Sequence, residues 1–308
     1  ALFEIVSGFT TTGATILGDV EILPRSVLMW RSFSHWIGGM GVLVFMLALL
    51  PMAGASSMYL MRAESPGPSV GKLVPKVRST AKILYGIYFF MTVAEFLLLA
   101  LAGCPLFDAV NLSFATAGTG GFGVLNSSAG DYNAWIQVIL TVFMILFGVN
   151  FNVYFLVYSK NLKDALRCEE ARIYMGVIGV SVVLISINTF SMFQGVGETL
   201  RHVAFQVASI ITTTGFSTVD FELWPEFSRT ILVILMFVGA CAGSTGGGIK
   251  VSRVAIMAKT ILKELAVMKH PRNVRKTRFE GKPVEHEVLR SINVFLIAYL
   301  GIFVLSVL

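Results

Sequence analysis

The chain has 308 residues, of which 55% are hydrophobic and only 14% are charged, with a formal net charge of +6. Soluble domains carry about 25% charged residues, so this composition excludes a cytosolic enzyme and a disordered chain. The predicted fold class is an all-α polytopic membrane protein. The basic excess is expected on polar loops, where it sets membrane orientation rather than binding nucleic acid.

Spanning helices are the main predicted elements, because a membrane span needs about 20 mostly apolar residues. Three half-polar stretches, 1–12, 106–118 and 198–213, are shorter and are predicted to be re-entrant helices. The chain begins inside one element and stops at the end of another, so we interpret it as a piece of a longer protein. The six predicted spans, the fifth interrupted, are residues 27–50, 81–103, 134–158, 172–192, 225–268 and 289–308.

Basic residues are concentrated in alternate loops. Of the 24 Lys and Arg residues, 18 lie in three loops, and the opposite loops carry only three. The positive-inside rule places the basic loops in the cytoplasm. The outer loops are acidic, which indicates either a vestibule that concentrates cations or simply loops without Lys and Arg. The three basic loops are residues 51–82, 159–172 and 259–290.

A Thr/Gly motif occurs three times, at residues 9–15 (FTTTGAT), 117–123 (AGTGGFG) and 211–217 (ITTTGFS). We name these the first, second and third loops. Each follows a re-entrant stretch and precedes an outer loop and a spanning helix. The predicted repeat is therefore a helix, a re-entrant helix, a Thr/Gly loop and a second helix. The first unit lacks its first helix, and 289–308 begins a fourth, so a complete protein would arrange four units around an axis.

A ring of Thr/Gly loops offers backbone carbonyls instead of reactive side chains. Glycine tolerates positive φ and places no side chain in a lumen, and carbonyl rings replace the hydration shell of a monovalent cation. The re-entrant helices aim their partly negative C-terminal ends at the loops. These features predict a cation pore; the alternative is that the clusters are ordinary turns. The predicted filter residues are Thr11, Thr12, Gly13, Thr119, Gly120, Gly121, Thr213, Thr214 and Gly215.

The interrupted fifth span contains five glycines within residues 239–248. Each costs about 1 kcal/mol relative to Ala inside a helix, so we predict a break just cytoplasmic of the third loop. The break either lets helices pack closely or forms a mobile gate. A phosphate-binding loop is excluded, because Ile249 separates Gly248 from Lys250. The predicted gate residues are Gly243, Ser244, Thr245, Gly246, Gly247, Gly248 and Lys250.

Several polar residues lie in apolar surroundings. Arg31 and His35 share one helix face, so either a Glu4–Arg31 or a Glu4–His35 pair is predicted to brace the first re-entrant helix. Glu95 is expected to face protein rather than lipid. Asn150 and Asn152 are predicted to form hydrogen bonds between helices. The basic stretch 269–287 contacts either anionic lipid or a regulatory partner.

The sequence resembles the TrkH family of bacterial potassium uptake proteins, within the superfamily that includes KtrB and the plant HKT transporters. The resemblance covers essentially all 308 residues. The stretches that carry it are 4–15 (EIVSGFTTTGAT), 30–41 (WRSFSHWIGGMG), 62–68 (RAESPGP), 213–218 (TTGFST) and 242–250 (AGSTGGGIK).

The resemblance implies four repeats around a K⁺ pathway, with Gly13, Gly121 and Gly215 as filter glycines. It also implies a homodimer in the bacterial inner membrane and a cytosolic, nucleotide-binding, TrkA-like regulatory subunit. Ser at the first filter glycine accompanies Na⁺ transport in related plant proteins, so Gly13 favours K⁺. K⁺ is the transported ion, and no cofactor is expected. The fourth filter is not in this sequence, so these residues alone are expected to be inactive.

Alternatives to a K⁺ pore are an H⁺- or Na⁺-coupled symporter and a Na⁺-permeable member of the same superfamily. A secondary transporter with broken helices predicts two inverted repeats, whereas the three copies here run in one direction. An enzyme would need an acid–base cluster, and the four His residues are scattered. The predicted organisation is the end of repeat 1 (1–50), a cytoplasmic loop (51–80), repeat 2 (81–160), repeat 3 (161–268), a basic cytoplasmic loop (269–288) and the first helix of repeat 4 (289–308).

Overall fold

The computed structural model describes residues 1–41, 77–269 and 276–308. Regular structure in these residues is almost entirely helical, which confirms the all-α class. The helices are α1 Leu2–Phe9, α2 Arg25–Trp36, α3 Val77–Leu101, α4 Leu106–Ala117, α5 Ala134–Phe147, α6 Phe151–Tyr158, α7 Leu162–Arg167, α8 Glu169–Thr189, α9 Val196–Ile211, α10 Glu226–Val238, α11 Val251–Lys269 and α12 His286–Val307. A short hairpin pairs β1 Arg278–Phe279 with β2 Lys282–Pro283.

Three of the helices in the described ranges are long and apolar enough to cross a membrane: α3, α8 and α12. The pair α5 and α6 makes a fourth span if the two are taken together. Large apolar side chains are exposed along α3, α8 and α12, as expected for faces that meet lipid. Glu95 on α3 is completely buried, so it faces protein, as predicted.

Short helices occupy the three predicted re-entrant stretches. α1, α4 and α9 have 8, 12 and 16 residues, fewer than the roughly 20 that a span requires. Each ends at one of the Thr/Gly loops. α4 packs between α2, α3 and α5, and its inner residues, among them Ala109, Leu112 and Ala115, are fully buried.

The predicted span 134–158 is not one continuous helix. α5 ends at Phe147, and α6 begins at Phe151 after a bend of 87°. Two hydrogen bonds to residues elsewhere in the chain occupy backbone groups at the break and so replace bonds within a helix. Cys241 N donates to Gly148 O at 3.0 Å, and Phe151 N donates to Gly243 O at 3.0 Å. The side chain of Asn150 caps α6 by accepting from Asn152 N at 2.9 Å.

The predicted span 27–50 is also not a regular helix in its described part. After Trp36 the chain enters a π-helical turn, Ile37–Gly41, in which Gly39 has φ −58° and ψ −111°. Two of its glycines, Gly38 and Gly39, admit neighbouring backbone. A Cβ at Gly38 would lie 2.2 Å from Phe9 O, and one at Gly39 would lie 2.8 Å from Gly118 Cα. Residues 42–50 lie outside the described residues.

The predicted interruption of the fifth span is confirmed, because α10 ends at Val238 and α11 begins at Val251. We name residues 239–250 the Gly-rich segment. Four residues of the segment have positive φ: Gly239, Gly243, Gly248 and Lys250. Such angles are incompatible with a continuous α-helix.

The predicted basic loop 269–288 contains the hairpin and the first turn of α12. Glu280 and Gly281 form its tip with φ of 51° and 72°, the pattern of a two-residue type I′ turn. Phe279 is 2% exposed and packs with Ala255, Ile256 and Ile292, so the hairpin is anchored to α11 and α12. Residues 270–275, and residues 51–76 of the other predicted cytoplasmic loop, lie outside the described residues.

Candidate functional site

The three Thr/Gly loops share one unusual backbone conformation. Positive φ is a genuine outlier for a β-branched residue such as Thr, yet it occurs at the same position of each loop. Two residues later, each loop has a glycine with positive φ. The values are 53° at Thr11, 53° at Thr119 and 59° at Thr213, followed by 75° at Gly13, 78° at Gly121 and 86° at Gly215.

The same hydrogen bond joins each loop to the short helix before it. Thr12 N donates to Ser7 O at 3.0 Å, Gly120 N to Ala115 O at 3.0 Å, and Thr214 N to Ser209 O at 2.9 Å. These bonds follow the Schellman pattern and occupy helix carbonyls that would otherwise lack a partner. They also turn loop N–H groups back towards the helix.

Unlike the loop N–H groups that donate to the short helices, the carbonyl groups of the predicted filter residues have no hydrogen-bond partner among the described residues. Within the described ranges, no donor bonds to the carbonyl oxygen of any of the nine predicted filter residues. A carbonyl oxygen without a donor keeps two lone pairs for another ligand, and rings of such oxygens suit a dehydrated monovalent cation. The arrangement therefore has the chemistry that a cation filter requires.

Successive loops adjoin through their backbones. A Cβ at Gly13 would lie 1.8 Å from Gly120 O, and a Cβ at Gly121 would lie 1.9 Å from Thr214 O. For Gly215, no described atom lies within 4 Å of that position. The first and second loops, and the second and third loops, are thus immediate neighbours in chain order. Their glycines leave space for the adjoining carbonyls.

A serine braces two of the loops from behind. Ser7 Oγ donates to Ala14 O at 2.6 Å in the first loop, and Ser209 Oγ donates to Phe216 O at 2.6 Å in the third. The matching residue of the second repeat is Ala115, which has no hydroxyl. There, Phe122 N approaches Nδ1 of His35 at 3.5 Å.

His35 therefore supports the second loop, and the predicted Glu4–His35 pair is wrong. Its ring stacks on Phe122 with 4.1 Å between centroids. A Cβ at Gly118 would lie 2.2 Å from His35 O, and one at Gly120 would lie 2.4 Å from Nδ1. The sequence could not assign this role, because no local spacing connects His35 with a loop more than 80 residues later.

The Glu4–Arg31 pair is confirmed, with Nε of Arg31 2.9 Å from Oε2 of Glu4 and side chains 5% and 11% exposed. Oε1 of Glu4 accepts from Thr15 Oγ1 at 2.8 Å and from Ile16 N at 2.9 Å. The Arg31 guanidinium lies 4.0 Å from the ring centroid of Phe122. One ion pair therefore supports the first loop directly and contacts the residue that follows Gly121.

Replacing Glu4 with Ala in the full-length protein is expected to destabilise it by about 3–5 kcal/mol, because the change leaves a buried guanidinium without its partner. The measurement is chemical or thermal unfolding of the purified protein in detergent. The matched control is Glu226→Ala, which removes the exposed Arg229–Glu226 pair and should cost less than about 1 kcal/mol. Equal losses in the two variants would contradict the bracing role.

The Gly-rich segment lies directly against the third loop. Gly247 N donates to Thr213 Oγ1 at 2.7 Å, and a Cβ at Gly246 would lie 2.9 Å from Thr212 O. Thr245 Oγ1 donates to Phe147 O at 3.3 Å, at the end of α5, and the Lys250 ammonium donates to Gly246 O. Of the predicted gate residues, Gly246 and Gly247 therefore contact the third loop. Thr245 contacts the end of α5, and Lys250 contacts Gly246.

The remaining predicted gate residues shape the segment itself. Ser244 Oγ donates to Cys241 O at 2.6 Å, and Gly243 O accepts from Phe151 N. A Cβ at Gly248 would lie 2.5 Å from Gly239 Cα, so the two ends of the segment meet through glycine backbone. A side chain at either glycine would separate them.

Sequence reasoning missed Glu170, in the first turn of α8. Its carboxylate accepts from Asn150 Nδ2 at 3.0 Å, from Ala242 N at 2.7 Å and from Ser252 N at 3.2 Å. The first of these bonds confirms the helix-to-helix bond predicted for Asn150. For Asn152, no donor among the described residues reaches the buried Oδ1 atom, so this oxygen forms no bond between helices. Glu170 lies between Arg167 and Arg172 in the predicted basic loop 159–172, so nothing local distinguishes it from a solvated loop carboxylate.

Comparison with known proteins agrees with these features. The cation transport protein family TrkH matches residues 1–308. The Trk system potassium uptake protein TrkH of Salmonella typhimurium is 38% identical over the whole chain, which spans 65% of that relative. TrkG of Escherichia coli K12 is 35% identical over 97% of the chain and 62% of its own length.

A solved structure shows the same fold. The crystal structure of the potassium transporter TrkH from Vibrio parahaemolyticus superposes with a TM-score of 0.86 and 31% identity, covering 98% of this chain and 63% of that one. The chain thus spans somewhat less than two thirds of the relatives that it matches. A family match over every residue, with a shared fold, gives one conclusion: the chain belongs to the TrkH family of cation transport proteins.

Proposed function

We propose that this chain is part of a potassium uptake system and forms most of its ion pathway. The observation that supports this is the set of three adjoining loops with equivalent backbone strain and unpaired carbonyl oxygens. The relatives are named as potassium uptake proteins. The cargo K⁺ needs no cofactor and no reactive side chain, because its hydration shell is replaced by oxygens already present in the backbone.

The proposed filter consists of Thr11, Thr12 and Gly13 together with the matching residues of the second and third loops. Its ring needs one further loop, which these 308 residues do not supply. The relatives are long enough to contain that loop, since the chain spans 65% of the Salmonella protein. We therefore assign transport to the complete protein rather than to residues 1–308 alone.

We further propose that the Gly-rich segment gates the pathway. The support is its position, because Gly247 N donates to the side chain of Thr213, a residue of the proposed filter. Backbone rich in glycine reorganises at low steric cost, which suits a segment that must move aside. The alternative role, close helix packing, does not require contact with a loop carbonyl or hydroxyl.

The proposed setting is the inner membrane of a bacterium, in a homodimer regulated by a cytosolic, nucleotide-binding subunit of the TrkA type. Relatives described as parts of a Trk system support a multi-component assembly. The positive-inside rule puts the hairpin and its basic neighbours on the cytoplasmic side. Those residues are proposed to contact either anionic lipid headgroups or the regulatory subunit.

The test is ion flux into liposomes that contain the full-length protein. We expect K⁺ flux that follows the K⁺ gradient, with Na⁺ flux at least about tenfold lower, since carbonyl rings discriminate between these ions. A zero-current potential set by the K⁺ gradient alone identifies a conductive pore. K⁺ flux that an H⁺ or Na⁺ gradient can drive identifies coupled symport and would overturn the conductive pore, although not K⁺ uptake itself. Na⁺ flux equal to K⁺ flux identifies a Na⁺-permeable protein and would overturn the proposal.

A further inference from the structure

Glu170 joins three separate parts of the chain at one buried point. Glu170 is only 3% exposed, and its two carboxylate oxygens accept hydrogen bonds from Asn150, Ala242 and Ser252 at 2.7–3.2 Å. A buried carboxylate is tolerated only where donors replace its hydration. The cluster is therefore a built polar site beside the Gly-rich segment.

The donors show which parts of the chain the Glu170 carboxylate connects. Ala242 N lies within the Gly-rich segment, and Ser252 N lies just beyond it, in the first turn of α11. N–H groups in the first turn of a helix have no intrahelical acceptor, and a carboxylate there is favoured by the helix dipole. Oε1 of Glu170 accepts from both, so one oxygen atom fixes the two ends of residues 242–252.

The third donor connects this point to the bend between α5 and α6. Asn150 Nδ2 donates to Oε2 of Glu170, while the Oδ1 atom of the same amide caps α6. The bend in turn bonds the Gly-rich segment through Gly148 O and Phe151 N. Glu170 thus sets the position of the segment relative to both neighbouring broken helices.

The hairpin supports Glu170 from the cytoplasmic side. Oε1 of Glu280 accepts from Glu170 N at 3.1 Å and from Cys168 Sγ at 3.3 Å, and Glu280 N donates to Oε2 of Glu169 at 3.0 Å. Burial, together with the neighbouring Glu280 carboxylate, raises the pKa of the Cys168 thiol to about 11, so the thiol keeps the proton that it donates. α8 has no side-chain cap of its own, and Glu280 supplies one from a distant loop.

We propose that Glu170 is a positioning residue that fastens the Gly-rich segment beneath the third loop, with the hairpin tip holding Glu170 in place. The proposal rests on the gating role proposed above. When the carboxylate is weakened as an acceptor, both ends of the segment are released together and the pathway opens. Ion selectivity is unaffected, because none of the three bonds involves a filter residue.

The first test is Glu170→Gln in the full-length protein, assayed by K⁺ flux in liposomes. The substitution places an amide N–H₂ group against Asn150 Nδ2 or against the two backbone donors. Basal flux should rise about five- to tenfold, the change in an equilibrium that loss of about one net hydrogen bond produces. Asn150→Asp should raise flux similarly, because it keeps the cap on α6 but turns the donor that faces Glu170 into a second carboxylate.

The decisive variant combines Glu170→Gln with Asn150→Asp. The donor and the acceptor are exchanged, so the amide of residue 170 donates to the carboxylate of residue 150, which still caps α6. Flux should fall back to within about threefold of wild type, because the bond between residues 150 and 170 is restored in reverse, whereas Ala242 N and Ser252 N now donate to a neutral amide oxygen. If residues 150 and 170 acted independently of this hydrogen bond, the double variant would show two additive defects instead of this rescue.

Three outcomes distinguish failure of the positioning role of Glu170 from failure of the proposed gate. If deletion of residues 243–247 leaves K⁺ flux unchanged, the gate fails, and the positioning role fails with it. If the deletion raises flux while Glu170→Gln and Asn150→Asp stay at the wild-type level, the gate stands and the positioning role is overturned. If both single variants raise flux and the double variant does not restore it, the proposed hydrogen bond is overturned.

Discussion

Gly121→Ser in the full-length protein is expected to reduce K⁺ uptake at least about tenfold and to abolish its preference over Na⁺. Gly121 has φ 78°, where any other residue costs about 1–2 kcal/mol. The new Cβ would also lie 1.9 Å from Thr214 O. The second and third loops must then separate, and the carbonyl ring loses the spacing that fits K⁺.

The control for this substitution is Gly103→Ser, in the turn after α3. Gly103 has φ 87°, so it carries the same backbone penalty, but no atom of the described residues lies within 4 Å of its Cβ position. Uptake by this variant should stay within about twofold of wild type, because strain of 1–2 kcal/mol in an outer turn leaves the loops unmoved. An undiminished K⁺ preference in Gly121→Ser would remove the basis for the filter assignment.

Deleting residues 243–247 is expected to raise K⁺ flux at least about tenfold, since the contacts of the Gly-rich segment with the third loop and with α5 are removed together. Selectivity for K⁺ should persist, because the three loops are untouched. Liposome flux with K⁺ and with Na⁺ measures both effects, and gel filtration with thermal unfolding confirms a folded protein. Lower or unchanged flux from the folded variant would contradict the gate.

A single hydroxyl offers a milder version of the same test. Thr213 and Thr119 are matched residues, and each side chain donates to the preceding carbonyl, at 2.6 and 2.7 Å respectively. Only Thr213 also accepts from the Gly-rich segment, through Gly247 N. Thr213→Val should therefore raise basal flux severalfold more than Thr119→Val does. The reason is that it also removes the hydrogen bond with Gly247, and losing about one hydrogen bond changes an equilibrium by that factor. Equal effects of the two substitutions would show that the contact with Gly247 is irrelevant to flux.

The loops could be located from sequence because their signals are local and repeated. Gly13, Gly121 and Gly215 fall in register, each preceded by Thr two positions earlier and by a short apolar helix. The break after α10 was equally accessible, since five glycines in ten residues outweigh the apolar character around them. Composition and loop charge were sufficient for the membrane class.

The break between α5 and α6 could not be foreseen, because residues 134–158 form an apolar run with one glycine. That bend depends on hydrogen bonds from residues 241 and 243, which lie far along the chain. Glu170 was missed for the same reason, as its donors come from three separate segments. Such features depend on hydrogen-bond partners that are distant in sequence, and neither hydrophobic periodicity nor helix propensity indicates where those partners lie.

The distant cap on α8 also has a consequence for biosynthesis. Glu280 follows Glu170 by 110 residues, and at about 5–20 residues per second a ribosome needs roughly 5–20 s to cover that distance. During this interval the start of α8 has been made, whereas Ala242, Ser252 and Glu280 follow one after another. On the positioning role proposed above, the Gly-rich segment is therefore fastened only after Glu280 has been made, and each new molecule passes through an unfastened stage before it is complete.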